Sequence, residues 1–265
     1  MSMEQQPISD SPLASPAPVT APENTRPAPI APWWHTVLIA ALILGNSLLG
    51  SSKLEHVGSG AHGSRLFLYA GTFILELVLV LLVWFGVYLR GVRMREVIGG
   101  RWNRVEDLLI DLGIAAVFWF VAICLLLGLR IALGLVDLHN VQKSQEETIR
   151  ALGAIAPHSY VEALSFLLLS VCAGLFEEII FRGYLQKQFS ALARNAFLGI
   201  VISGIIFGLA HGYQGWRNMV VIAVFGMFFG VLAYFRKSLR PGMMAHAFQD
   251  SLAGIALFFV VRRHG

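Results

Sequence analysis

Seven apolar runs, each near the ~20 residues that a hydrocarbon core demands of a helix, leave this chain almost no choice of surroundings. They lie at about 33–50, 65–89, 108–135, 161–185, 196–213, 219–235 and 242–261. The 265-residue chain is 56% hydrophobic and only 14% charged, with a mean hydropathy of +0.68, whereas soluble domains carry about 25% charge. The expected fold class is all-α: a polytopic transmembrane helix bundle of about seven spans. A net charge of +4 does not point to nucleic acid, because the basic residues sit beside the apolar runs, where they set orientation. Cys124 and Cys172 fall inside apolar runs and suggest no disulfide framework.

Three regions are expected. Residues 1–32 hold eight of the ten prolines and read as a disordered, proline-rich cytoplasmic tail. Residues 33–159 supply the first spans, and residues 160–262 a helical core that carries the chemistry. The 90–107 loop, with Arg90, Arg93, Arg95, Arg101 and Arg104, is expected in the cytoplasm together with the amino terminus and the "FRKSLR" segment at 235–240. Arg262 and Arg263 would then face outward, against the rule. Residues 186–195 alternate at helical spacing and read as a continuation of the fourth helix along the cytoplasmic surface.

The informative residues are polar ones inside apolar runs, each of which costs about 2.5–3.5 kcal/mol at mid-bilayer if charged. In "AGLFEEIIFRGYL" (173–185), Glu178 and Arg182 are i and i+4, share a helix face and can pair. Glu177 lies about 100° round the helix and is left without that cation, free to act on something else. In "SGIIFGLAHG" (203–212), Gly204, Gly208 and Gly212 form a small-residue stripe for helix contact, with Phe207 and His211 beside it. In "PGMMAHAFQD" (241–250), Pro241 suits a helix start, and His246 and Asp250 share a face. Taken singly each cluster has a structural explanation. Together they place Glu177, His211, His246 and Asp250 on three spans, which is the donor set of a hydrolase. Glu76 in the second run and Arg130 in the third are further charges inside apolar runs and read as a mutual structural pair.

The three clusters resemble the CPBP family of intramembrane endopeptidases, the CAAX-protease and bacteriocin-processing group. Its pattern of Glu-Glu-x-x-x-Arg, Phe-x-x-x-His and His-x-x-x-Asn/Asp appears here as "EEIIFR" (177–182), "FGLAH" (207–211) and "HAFQD" (246–250). The resemblance covers roughly residues 160–255. It implies that Glu177 activates a water with help from His211, and that His246 with Asp250 stabilises the oxyanion. Glu178, Arg182 and Phe207 would support the site. It further implies a peptide or lipid-modified protein substrate, contact with membrane lipid, and residence in a membrane of the bacterial inner-membrane type.

Two points strain that picture. An ionised Asp accepts hydrogen bonds only, so Asp250 either carries a proton or orients His246 by accepting its other ring N–H; the second leaves His246 as the donor. His246 also lies five residues past Pro241 while His211 ends its span. The two meet only if a span is tilted or begins outside the hydrocarbon, or if the site is a deep wet cavity. The cofactor stays open: no cofactor is required, or a divalent metal such as Zn²⁺ is held by Glu177, His211 and His246, although no His-Glu-x-x-His occurs. The competing functions are a proton- or ion-coupled transporter and a non-catalytic scaffold or immunity protein of the same fold.

Overall fold

All seven apolar runs form helices in the computed structural model, which describes residues 28–57, 62–136 and 152–264. The elements are α1 (Trp33–Val57), α2 (His62–Tyr88), a short α3 (Met94–Ile98), α4 (Val105–Ala132), α5 (Tyr160–Glu177), a π-helical segment (Glu178–Leu185), α6 (Gln186–Ala193), α7 (Ala196–Ala210), α8 (Trp216–Arg236) and α9 (Arg240–His264). Among the described residues, five helical stretches are long and apolar enough to cross a membrane: Arg65–Tyr88, Val105–Ala132, Tyr160–Ala193, Trp216–Arg236 and Arg240–Arg263. Trp33–Leu49 and Ala196–Ala210 are shorter apolar helices. The chain is thus a polytopic helical membrane protein. Most of the proline-rich tail and residues 137–151 lie outside the described residues.

Local chemistry accounts for the helix ends. Ser159 caps α5: its hydroxyl accepts from Glu162 N at 3.2 Å, and Glu162 Oε2 accepts from Ser159 N at 3.3 Å, a reciprocal capping box. Asn195 caps α7 through Phe197 N and Leu198 N. Arg194, left-handed at φ 51°, turns the chain sharply between α6 and α7.

Polar groups collect at one end of the bundle. Lys187 Nζ donates to the carbonyls of Glu96 and Val97, Leu239 N to Ile98 O, and Arg236 pairs with Asp111 at 2.6 Å. The arginine-rich loop and the 236–240 turn therefore share one end, as the charge pattern expected of them. The start of α1 is there too. Gln188 Nε2 donates to Ala31 O and Thr36 Oγ1, and its Oε1 accepts from Ile30 N and Ala31 N. Ile30 and Ala31, within the stretch read as a tail, are thus fixed to the core.

The expectation of a surface helix at 186–195 needs correction. Gln186, Gln188 and Ser190 are buried, because α1 and α8 supply hydrogen-bond partners; Gln186 Nε2 donates to Gly230 O at 3.0 Å. Their polarity meets protein rather than water.

Glycines set the closest helix contacts. A Cβ on Gly208 would lie 2.6 Å from Ala223 Cβ and from Met219 O, and one on Gly204 2.5 Å from Met227 Cγ, so α7 and α8 meet along this part of the stripe. Gly212 is past the helix end, in a 3₁₀ turn. Gly174 matters more to the site. A Cβ there would lie 2.5 Å from Ala247 N and 2.8 Å from its Cα, one turn before Glu177 and beside His246. Gly174→Val is therefore expected to cost about 1–3 kcal/mol by overpacking and to lower activity by moving α5 from α9. Gly128→Val, with nothing within 4 Å of its Cβ, serves as the control. Unfolding midpoints of both in detergent test this; equal midpoints would contradict it.

Candidate functional site

The depth problem is resolved by where the helices start and stop. α7 has only 15 residues, ~22 Å at 1.5 Å per residue, so it ends short of a ~30 Å hydrocarbon core. Glu177 and His211 both stand about four helical turns from the α6–α7 turn and so reach the same level. α9 begins at the bundle end that carries the arginine-rich loop, where Leu239 N donates to Ile98 O. A Cβ on Gly183 would lie 3.0 Å from Leu239 Cδ1, so α9 starts against the last turn of the π segment, and His246 comes to lie beside Glu178.

The π segment spans Glu178–Leu185, and all eight of its residues are buried. Such wide turns occur often at functional sites. Here it opens directly after Glu177. Arg182 Nη1 lies 2.9 Å from Glu178 Oε1, both side chains being 1% exposed, and Arg182 Nη2 donates to Gly226 O at 3.1 Å. The guanidinium sits over the rings of Phe207 at 4.3 Å and Phe229 at 5.1 Å, so ring faces stand in for water around the charge. Gly226 and Gly242 make the room. A Cβ on Gly226 would meet Arg182 Nη2 at 3.2 Å, and one on Gly242 would meet Glu178 Oε2 at 3.3 Å.

Glu178 does more than pair with Arg182. Its Oε1 is 3.0 Å from His246 Nδ1, so Glu178 rather than Asp250 takes the ring N–H in hydrogen-bond range. His246 Nε2 then faces two carboxylates at 3.6 Å, Glu177 Oε2 and Asp250 Oδ2. The ring is 4% exposed, packed against Phe229 and Phe207.

His211 caps the end of α7, and its Nδ1 is 2.9 Å from Phe207 O. A carbonyl only accepts, so Nδ1 carries a proton, and in the neutral ring Nε2 is then the acceptor. Phe207 packs against both histidines, with ring centroids 4.9 Å from His211 and 5.9 Å from His246.

A cavity of about 860 Å³ joins these groups, within the usual range for ligand sites. Glu177, His211 and Asp250 line it, together with Glu76, Tyr213, Asn46 and Ser47; the remaining wall is largely apolar, from Ile43 and Leu79 to Phe166 and Phe181. His246 is absent from this lining and lies behind the two carboxylates. The structure thus brings Glu177, His211 and Asp250 onto one cavity, with His246, Glu178, Arg182 and Phe207 packed behind it.

Two cavity residues escaped the sequence reading. Glu76 does not pair with Arg130. It is 8% exposed, its Oε2 has no hydrogen-bond partner among the described residues, and it stands within electrostatic reach of Glu177, His246 and Asp250. Arg130 instead donates to Asn218 Oδ1 at 3.2 Å. Tyr213 lies just past the histidine motif, where only the polarity of "HGYQG" hinted at a role.

A catalytic zinc takes three protein ligands converging at about 2.0–2.2 Å. Among the described residues no three His, Cys, Asp or Glu side chains are so placed. Glu177, His211 and His246 do not make that set.

No curated protein and no solved structure matches the chain. A family model does, over residues 159–252, and it is described as type II CAAX prenyl endopeptidase, Rce1-like. The match begins at the Ser159 cap, ends two residues past Asp250, and takes in the π segment, the His211 turn and His246. Spans α1 to α4 lie outside it, although Glu76 of α2 reaches the cavity. Residues 159–252 of this membrane protein therefore match the family of Rce1-like, type II CAAX prenyl endopeptidases.

Proposed function

We propose that the chain hydrolyses a peptide bond in a membrane-proximal, lipid-modified protein, using water activated by Glu177. The observation that carries this reading is that Glu177, His211 and Asp250 line one cavity whose remaining wall is largely apolar. Glu177 accepts the proton of a water held between it and His211 Nε2, and the oxygen adds to the scissile carbonyl. The proton then passes to the departing amide nitrogen, as the amine leaves and the new carboxylate forms. His246 fixes Glu177 and Asp250 from behind, and Glu178 with Arg182 fixes His246. The apolar wall takes the lipid chain of the substrate, each buried methylene contributing about 0.8 kcal/mol.

The test uses full-length protein in nanodiscs and a peptide ending in Cys-aliphatic-aliphatic-Met, farnesylated or not. The farnesylated peptide is expected to lose its last three residues with kcat/KM ~10-fold or more above the bare peptide. Failure to cut either would overturn the proposal. Equal cutting of both would remove the lipid from it.

A further inference from the structure

An oxyanion forming in this cavity needs hydrogen-bond donors aimed at it, and the motif residues supply few. His246 lies behind the carboxylates rather than on the cavity wall, and its Nδ1 is engaged by Glu178. Nδ1 of His211 is engaged by Phe207 O. Asp250, when ionised, can only accept.

Tyr213 is placed to fill the gap. It lines the same cavity and stands within electrostatic reach of Glu177, Asp250 and Glu76. Its hydroxyl oxygen accepts from Gln214 Nε2 at 3.0 Å. No acceptor among the described residues takes its own proton, which stays available to donate.

The ring is held from outside the motif. Gln214 N donates to His211 O at 3.0 Å, closing the turn that carries Tyr213. Asn218 Nδ2 donates to Gln214 O at 3.0 Å, and Arg130 from α4 donates to Asn218 Oδ1. This chain of bonds, Arg130 to Asn218 to Gln214 to Tyr213, is a second layer of the kind that fixes a first-contact group. It also gives the half-buried Arg130 a partner, since Glu76 is not one.

We propose that Tyr213 is a further catalytic residue, whose hydroxyl donates a hydrogen bond to the scissile carbonyl oxygen as it becomes negative. The proposal rests on the proteolytic reading above. No covalent bond to Tyr213 forms and its proton stays on the phenol, so the hydrolysis balances as written.

The experiment compares wild type, Glu177→Gln, Tyr213→Phe and Gln214→Ala in nanodiscs, with the farnesylated peptide as probe and an unfolding midpoint for each. Tyr213→Phe keeps the ring, and is expected to lower kcat ~100-fold with KM within ~3-fold of wild type and an unchanged midpoint. Gln214→Ala is expected to lower kcat ~10-fold, because it frees the ring without removing the donor. Wild-type kcat in Tyr213→Phe overturns the Tyr213 proposal while leaving the proteolytic reading intact. If Tyr213→Phe loses its midpoint, wild-type kcat in a stable Gln214→Ala overturns the proposal instead. No cleavage by wild type overturns both.

Discussion

Glu177→Gln is expected to lower kcat by ~10³–10⁴, near the upper limit of what a positioned base contributes, while the bundle keeps its unfolding midpoint. Glutamine has nearly the same shape and can still accept from His246 through its carbonyl oxygen, so the 3.6 Å approach to Nε2 loses little packing. What it cannot do is take a proton from water. The Glu177 side chain is 16% exposed against 1% for Glu178, which is the difference between a group that meets the cavity and one sealed behind it. Steady-state cleavage of the farnesylated peptide measures the effect. Turnover within ~3-fold of wild type would mean that the water is activated elsewhere.

Arg182→Met acts on the other side of the site, and its effect falls on stability. It leaves Glu178 charged, fully buried and without its cation, a situation that costs about 3–5 kcal/mol when one partner of a buried pair is removed. Replacing both partners with apolar groups of similar volume, Glu178→Leu with Arg182→Met, is expected to recover most of that loss. Activity should not return in the double variant, since His246 Nδ1 has lost its acceptor at 3.0 Å. Reversible unfolding in mixed micelles reads the first effect and peptide cleavage the second. A double variant no more stable than Arg182→Met would show that the charge is not what the pair neutralises. One with wild-type turnover would show that Glu178 does not orient His246.

These two variants separate what was legible in the sequence from what was not. Glu178 with Arg182 was readable because helical spacing alone brings i and i+4 together, and that pair forms. The seven runs became helices because length and hydropathy decide that question before packing does. The π segment had no such signal. "EIIFRGYL" (178–185) is unexceptional as a helix, and the widened turn accompanies the burial of Arg182 among three phenylalanines, a property of the bundle. Glu76 and Arg130 were paired by charge because nothing in the chain says which helix faces which. Packing gave Arg130 to Asn218 and Glu76 to the cavity. Gln186 and Gln188 read as surface residues for the same reason: a glutamine bonded to a buried carbonyl looks in sequence like one bonded to water. The second role of Glu178 also depends on packing, since His246 reaches it only because α9 starts against the last turn of the π segment.

The most direct test of a Glu177-activated water is cleavage in ¹⁸O-water, wild type beside Glu177→Gln, with the products weighed by mass spectrometry. Wild type is expected to release the carboxyl-terminal tripeptide and leave a new carboxylate carrying one ¹⁸O, and the variant to release neither product above background. Labelled product formed as quickly by Glu177→Gln, or an intact substrate with both proteins, would contradict it.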